Sequence, residues 1–120
     1  MKLDHLVILA SDLQASAAWY GAVLGALGFA KTRDHVWLHP DGWALDLRPA
    51  TDAGRAYGRY APGLNHTGFR ADSVAAVEAL MADLAAAGVE VPAIQDFGHE
   101  KAVFLRDPDG MRFEVAAFAT

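Results

Sequence analysis

The stretch HPDGWALDL, at residues 39–47, returns in nearly the same form as DPDGMRFEV at residues 107–115. Placing Gly42 on Gly110, a shift of 68 residues, keeps the Pro-Asp-Gly turn, the apolar positions and a carboxylate four positions after the glycine in register. A match of this kind at a fixed spacing indicates an internal duplication, which constrains the fold more strongly than any single element does. The sequence therefore predicts a chain built from two copies of one structural unit.

A second match lies at the start of each copy. The segment HLVILASDL from His5 aligns with HTGFRADSV from His66, a shift of 61 residues. Because this shift is smaller than the 68 residues that separate the turns, the second copy is predicted to carry an insertion within residues 90–102. The copies are expected to span residues 1–49 and 64–120, and residues 50–63 have the Gly, Pro and small polar content of a linker.

Each copy has the pattern of a strand, a helix and three further strands. Residues 3–10 are apolar and β-branched, which favours a strand, and turn residues separate the later strands. Ser11 has capping-box spacing and is predicted to cap the first helix, and Gly88 is predicted to end the second. The predicted fold class is therefore α+β, with tandem βαβββ modules that form a curved mixed sheet around a cavity.

Composition and charge narrow the class of protein. With 53% hydrophobic and 21% charged residues, and no apolar run long enough to span a bilayer, the 120 residues indicate a globular domain with no membrane partner. The opening MKLDHLVILASD is a poor signal peptide, so we expect a cytoplasmic protein. A net charge of −5 without a basic stripe argues against nucleic acid as a partner. Because there is no cysteine, any metal ion must be held by nitrogen and oxygen.

Four polar residues recur in register between the copies and predict a metal site. In the strand after each turn the apolar positions alternate with Asp46 or Glu114, so both carboxylates should face away from the helices. Burying a carboxylate on an enclosed face of a sheet costs free energy, on the order of 2 kcal/mol or more, unless another group compensates its charge. A divalent cation held also by His5 and His66 would compensate it, and this donor set suits Zn, Ni, Fe or Mn, with one ion per site.

Simpler explanations exist for each of these residues taken alone. A single histidine in a strand is more often a core or rim residue than a ligand. The carboxylates have a second available partner, since Asp46 or Glu114 can pair with Arg48 or Arg112. The repeat favours the metal, because two residue types recur together in matching places.

Three segments together resemble the vicinal oxygen chelate superfamily. They are DHLVILASDLQASAAWYGAVLGALGF at residues 4–29, GLNHTGF at residues 63–69 and FLRDPDGMRFEV at residues 104–115. Glyoxalase I, fosfomycin-resistance proteins, extradiol dioxygenases, methylmalonyl-CoA epimerase and bleomycin-resistance proteins belong to this superfamily. The resemblance covers essentially the whole chain and implies paired βαβββ modules.

The resemblance also implies a ligand set. The family's metal ligands fall on His5, His66 and Glu114, and Asp46 occupies the place of the fourth ligand of glyoxalase I. This chain departs from glyoxalase I there, because that enzyme normally has glutamate or a close relative at this place, whereas the aspartate of this chain is one methylene shorter. Without Asp46 the set becomes two histidines and one carboxylate, which is the facial triad of iron(II) oxygenases.

By resemblance to glyoxalase I, we expect a metal-dependent lyase or isomerase that acts on a small-molecule substrate with vicinal oxygens through an enediolate. Asp46 or Glu114 is the expected base. Two alternatives remain: an iron(II) extradiol-type dioxygenase, and a non-catalytic protein that binds a drug or metabolite, like the bleomycin-resistance proteins.

Further residues are candidates for substrate binding, and the assembly is predicted from the relatives. Arg48 and Arg112 face the presumed cavity and suit a substrate carboxylate. Tyr57 and His99, with His39, are nearby candidates for acid–base work. A homodimer is expected, with modules paired either within one chain or across two chains.

Overall fold

The protein consists of two compact units, Met1–Ala56 and Tyr57–Thr120. The computed structural model describes residues 1–52 and 54–119 of the chain. Each unit has the predicted order of one strand, one helix and three strands. The α+β class with paired βαβββ units is therefore confirmed, and the sheet is divided into two sheets of four strands.

The first unit is built around a four-stranded mixed sheet. Its elements in chain order are β1 (His5–Ala10), α1 (Leu13–Ala26), β2 (Ala30–Arg33), β3 (Val36–Leu38) and β4 (Ala44–Pro49). The strand order is β1-β4-β3-β2. Strand β1 runs parallel to β4, because the helix carries the chain back across the sheet, and the remaining pairs are antiparallel.

The second unit repeats this arrangement. Its elements are β5 (His66–Arg70), α2 (Val74–Ala86), β6 (Gln95–Asp96), β7 (Glu100–Arg106) and β8 (Arg112–Phe118). The order β5-β8-β7-β6 matches that of the first unit, with the parallel pair again between the first and last strands. The short strand β6 lies inside residues 90–102, where the insertion was predicted.

The helices begin at side-chain caps, one of which lies a residue away from its predicted place. The cap of α1 is Asp12 and not Ser11, because the Asp12 carboxylate accepts a hydrogen bond from the Ala15 amide at 3.1 Å. In α2 the Ser73 hydroxyl fills the same role, and this helix ends before Gly88 as predicted. No helix among residues 1–52 and 54–119 has the length and apolar character that crossing a membrane requires.

The two Pro-Asp-Gly turns have the same backbone conformation. Gly42 and Gly110 have φ of +97° and +93°, a region that side chains with a Cβ rarely adopt. The amide of each glycine donates to the carbonyl three residues earlier, His39 or Asp107, at 2.9 Å in both turns. The repeated motif is thus a repeated turn, and it feeds β4 and β8 into their sheets in the same way.

Side-chain burial in β4 and β8 follows the predicted alternation. The buried apolar positions of the two strands are Leu45, Leu47, Phe113 and Val115. They lie on the helix side of the sheets, where α1 contacts β4 and α2 contacts β8. Burying such side chains contributes roughly 1.5–3 kcal/mol each. The intervening Asp46 and Glu114 therefore lie on the opposite faces of their sheets.

Candidate functional site

The repeated histidines and carboxylates occupy the same register in both units. In the parallel pair β1–β4, Asp46 lies two residues beyond the partner of His5. In the parallel pair β5–β8, Glu114 lies two residues beyond the partner of His66. Because residues two apart share a face of a strand, each unit presents one imidazole and one carboxylate side by side.

In the second unit the two side chains are in direct contact. The Nε2 atom of His66 lies 3.1 Å from the Oε2 atom of Glu114. The side chain of Glu114 is 17% exposed and that of His66 is 38% exposed, so the pair is partly shielded and still open to a ligand. Phe104 places its ring edge against the imidazole, with 5.8 Å between the ring centres.

The tautomer of His66 follows from its other neighbour. Its Nδ1 atom lies 2.7 Å from the Oδ1 atom of Asn65, whose Nδ2 donates to the carbonyl of Arg59 at 2.9 Å. Since that bond directs the amide nitrogen of Asn65 elsewhere, its oxygen faces the ring and Nδ1 carries the proton. The lone pair of Nε2 in a neutral ring then points toward the Glu114 oxygen, and two acceptors at this distance need a proton or a cation between them.

In the first unit the carboxylate has a different partner. Both Nε and Nη2 of Arg48 bond the Oδ2 atom of Asp46, at 3.0 Å and 2.6 Å. The hydrogen bonds from Arg48 lower the pKa of Asp46, and this effect outweighs the opposing effect of burial, with smaller help from the charges of Arg48, Arg33 and His5. The salt bridge that the sequence left open as an alternative is therefore present for Asp46.

His5 has the same kind of neighbour as its counterpart in the second unit. The Nδ1 atom of His5 lies 2.6 Å from Oδ2 of Asp4, the preceding residue. An ionised carboxylate only accepts hydrogen bonds, so Nδ1 again carries the proton. The lone pair of Nε2 is then available to bind a metal ion. In histidines that bind metal ions, the other ring nitrogen usually donates its hydrogen to a neighbouring acceptor in this way. Asp4 and Asn65 were not predicted, although the repeat itself places an acceptor before each histidine.

Two substitutions between the repeats account for the different carboxylate contacts. Val7 lies beside Asp46 in the strand register, whereas Gly68 lies beside Glu114. A Cβ on Gly68 would be 3.5 Å from Oε2 of Glu114, so the glycine leaves room for this side chain. The position that corresponds to Arg48 at the 68-residue shift is Ala116, which offers no guanidinium.

The donor atoms suit a divalent cation, although each unit contributes only part of the predicted set. Two donors at right angles around one ion, with bonds of about 2.1 Å, lie about 3 Å apart, which is close to the 3.1 Å between His66 and Glu114. Within residues 1–52 and 54–119, no three or more His, Asp or Glu side chains come together as a metal-holding group. The four-ligand set of His5, Asp46, His66 and Glu114 stays a prediction.

The residues predicted to bind substrate have varied surroundings. The Tyr57 hydroxyl lies 2.7 Å and 3.0 Å from the carbonyls of Leu64 and Asn65, so it holds the segment that precedes His66. His99 is exposed between β6 and β7, and its carbonyl accepts a bond from the Ala119 amide at 3.0 Å. Arg48 is engaged by Asp46, as described above.

His39 has a structural role in the first turn. Its Nδ1 accepts a hydrogen bond from the Asp41 amide at 3.0 Å, as Oδ1 of Asp107 does from Asp109 at 2.9 Å in the second turn. The imidazole stacks on Trp43, with 5.1 Å between the ring centres. Its ring nitrogen is thus used within the turn.

Arg112 lines a pocket of the second unit together with two arginines, Arg59 and Arg106, that were not predicted to bind substrate. The pocket has a volume of about 160 Å³ and is lined by Arg59, Pro92, Gln95, Phe104, Arg106 and Arg112. Partial burial lowers the pKa of Arg112, and the neighbouring charges of Arg59 and Arg106 lower it further. Arg106 and Arg112 are directly paired across β7 and β8. The sequence contained a signal for this pair, because Arg106 and Arg112 flank the turn segment DPDGM at residues 107–111.

Comparison with known proteins gives matches along nearly the whole chain. Residues 2–115 match the family model described as the Glyoxalase/Bleomycin resistance protein/Dioxygenase superfamily. The uncharacterised protein YqjT of Bacillus subtilis (strain 168) is 30% identical over 134 aligned positions, which cover 96% of this chain and 98% of that protein.

Solved structures with the same fold include two bacterial proteins. A provisionally named glyoxalase from Bacillus halodurans superposes with a TM-score of 0.79 at 25% identity, covering 96% of this chain and 94% of that one. Lactoylglutathione lyase from Agrobacterium tumefaciens superposes with a TM-score of 0.66 at 24% identity, covering 97% and 92% of the two chains. At this identity the second match supports the shared fold alone.

Proposed function

Because the chain belongs to the glyoxalase/bleomycin resistance protein/dioxygenase superfamily, we propose that it is a divalent-metal-dependent lyase or isomerase. Its substrate is a small molecule with two vicinal oxygens. The observation that carries this proposal is the contact of 3.1 Å between Nε2 of His66 and Oε2 of Glu114. The Nδ1 atom of the neutral imidazole is already bonded, and among residues 1–52 and 54–119 no arginine pairs with Glu114, which supports the two side chains as ligands of one cation.

His5, Asp46, His66 and Glu114 are the residues that would hold the ion, which is Zn, Ni, Fe or Mn on the chemistry of these donors. A bound divalent cation supplies Lewis acidity, which stabilises the negative charge of an enediolate. The four residues come from both units, and the homodimer expected from the resemblance stays part of the proposal. Sedimentation analysis of the purified chain measures that assembly directly.

Glu114 is the proposed base, and Asp46 is the less suitable of the two carboxylates. Asp46 is bonded by two nitrogens of Arg48, which lowers its basicity. Within the described part of the chain Glu114 has no arginine partner, and it is mostly shielded from water, so it can accept a proton from a carbon next to a substrate oxygen. Nε2 of His66, oriented through Asn65, would bind the same ion as Glu114 and so fix the place of this carboxylate.

The test combines metal binding with proton transfer. Protein stripped with a chelator is titrated with Zn, Ni or Mn, and exchange of the C–H protons of hydroxyacetone in D₂O is followed by NMR. Glu114→Gln keeps the shape of the side chain, and it should lower metal affinity at least ten-fold and exchange by about 100-fold or more. Glu90→Gln, at an exposed loop carboxylate, is the matched control and should change neither.

Retention of one bound metal ion per site and full exchange by Glu114→Gln would overturn the assignment. A wild-type protein that binds no divalent ion, yet holds a small organic ligand equally well before and after chelation, would instead be a non-catalytic binding protein.

One observation favours a second candidate, an iron(II) extradiol-type dioxygenase. With Asp46 engaged by Arg48, the remaining predicted ligands are His5, His66 and Glu114, which is the composition of a facial triad. Anaerobic loading with Fe(II), followed by oxygen uptake in the presence of catechol, tests this candidate. A protein that is purified with Zn or Ni and is indifferent to oxygen excludes it.

A further inference from the structure

The pocket of the second unit is lined by positively charged side chains and lies on the same sheet face as the His66–Glu114 pair. Arg106 and Arg112 are neighbours across β7 and β8, and Arg59 reaches the pocket from the segment before β5. Phe104 links the two places, because it lines the pocket and also contacts the His66 ring. The strand partner of Arg112 in β5 is His66 itself.

Among the described residues, Arg59, Arg106 and Arg112 have no carboxylate within ion-pair distance, a property that they share only with Arg33. Elsewhere the arginines Arg48, Arg55 and Arg70 are paired with Asp46, Asp52 and Glu100. Three positive charges that line one small pocket repel one another. Partial burial lowers the pKa of Arg112, and this repulsion lowers it further.

We propose that Arg59, Arg106 and Arg112 bind an anionic oxygen group, either phosphoryl or carboxylate, carried by the substrate. The guanidinium groups suit such a group because their planar forks match its oxygens. The pocket volume of about 160 Å³ accommodates one small anionic group, and Gln95 adds a neutral polar contact. The link to the substrate rests on the proposed function, whereas anion binding in the pocket does not.

Anion binding is measured on the whole chain after chelation, so that no metal ion contributes. Inorganic phosphate and malonate are titrated calorimetrically at constant ionic strength. Arg59→Gln and Arg106→Gln should each weaken binding about ten-fold, as expected for loss of one charge-assisted hydrogen bond worth about 1.4 kcal/mol. Arg55→Gln makes the same change of charge at an exposed loop outside the pocket and should leave the affinity within two-fold of wild type, roughly the error of such titrations.

The comparison of anions identifies the group. Tighter binding of phosphate assigns a phosphoryl group, and tighter binding of malonate assigns a carboxylate. Absence of binding by wild type at millimolar concentration, or equal affinities for wild type, Arg59→Gln and Arg106→Gln, would overturn the inference. Arg106→Lys keeps the positive charge and loses the planar guanidinium group, so it should bind phosphate more weakly than wild type does. Thermal unfolding of each variant establishes that it is folded.

Hydroxyacetone separates this inference from the proposed function. It carries no anionic group, so its metal-dependent exchange in the wild-type chain reports on the proposed function alone, whereas phosphate titration of the chelated chain reports on the arginine site alone. Failure of metal binding with intact phosphate binding would reject only the proposed function. Intact metal-dependent exchange without anion binding would reject only the arginine site.

Discussion

Nε2 of His66 and Oε2 of Glu114 lie 3.1 Å apart, each on the sheet face that points away from the helix of its unit. In the first unit His5 and Asp46 have the same strand register, but the Asp46 carboxylate is bonded by Arg48. The duplication has therefore kept the residue types and changed their contacts. This difference leads to four predictions, two about the ligands and two about the framework.

The first prediction concerns the orientation of His66 by Asn65. Asn65→Leu removes the acceptor of the Nδ1 proton at nearly constant volume, so the ring loses its preferred tautomer and position. We expect metal affinity to fall about 10–100-fold, the usual effect of removing such a partner. Calorimetric titration with Zn measures this. Asn65→Asp restores an acceptor and should recover most of the affinity, and equal affinities for wild type and Asn65→Leu would show that the contact is incidental.

The second prediction concerns the space beside Glu114. Gly68→Val copies Val7 of the first repeat, and the added methyl groups would crowd a carboxylate whose Oε2 lies 3.5 Å from the position of a Cβ. Valine suits a strand, so the fold should persist while Glu114 is displaced from His66. We expect a loss of metal affinity of about ten-fold, or 1.4 kcal/mol. Val7→Ala is the control, and unchanged affinity in Gly68→Val would argue against a role for this space.

The third prediction is a pH dependence of stability from the Asp46–Arg48 pair. The pKa of Asp46 is lowered in the folded protein by the hydrogen bonds of Arg48, so the pair stabilises the fold above the unfolded aspartate pKa of about 3.9. This contribution is lost as the pH falls through the lower folded value. Urea unfolding of wild type and Arg48→Gln should therefore differ more at pH 7, about three units above the unfolded value, than at pH 3, about one unit below it.

The control for that pH dependence is Lys2→Gln, which removes one exposed positive charge from the N-terminal segment. Its difference from wild type should not depend on pH in the same way. A constant difference between wild type and Arg48→Gln across this range would contradict the assignment of the lowered pKa to Arg48.

The fourth prediction concerns the second Pro-Asp-Gly turn. Asp107 is 6% exposed, and its Oδ1 accepts hydrogen bonds from the amides of Asp109 and Met111, both at 2.9 Å. Asp107→Ala leaves these amides without that acceptor, so the free energy of unfolding should fall by about 1–3 kcal/mol. Urea unfolding measures the change. Asp83→Ala, at an exposed helix position, should stay within about 0.5 kcal/mol of wild type, and an equal effect of both substitutions would contradict the role of the turn.

Local patterns were sufficient to predict the architecture. The alternation of Leu45 and Leu47 with Asp46, and of Phe113 and Val115 with Glu114, is a strand periodicity that the structure confirms. The cap of α1 was misplaced by one residue because Ser11 and Asp12 are both good caps, and only the backbone geometry selects between them. The family was evident from the same segments.

The sequence by itself determined two βαβββ units, the turn that each one repeats and the sheet face on which each carboxylate lies, because these depend on residues close together in the chain. Only the tertiary structure decided that Asp46 pairs with Arg48, that Glu114 meets His66, and that Arg59 joins Arg106 and Arg112. The reason is physical: a long polar side chain has several partners within reach, and its choice depends on neighbours such as Val7 or Gly68 that come beside it only when the strands pair.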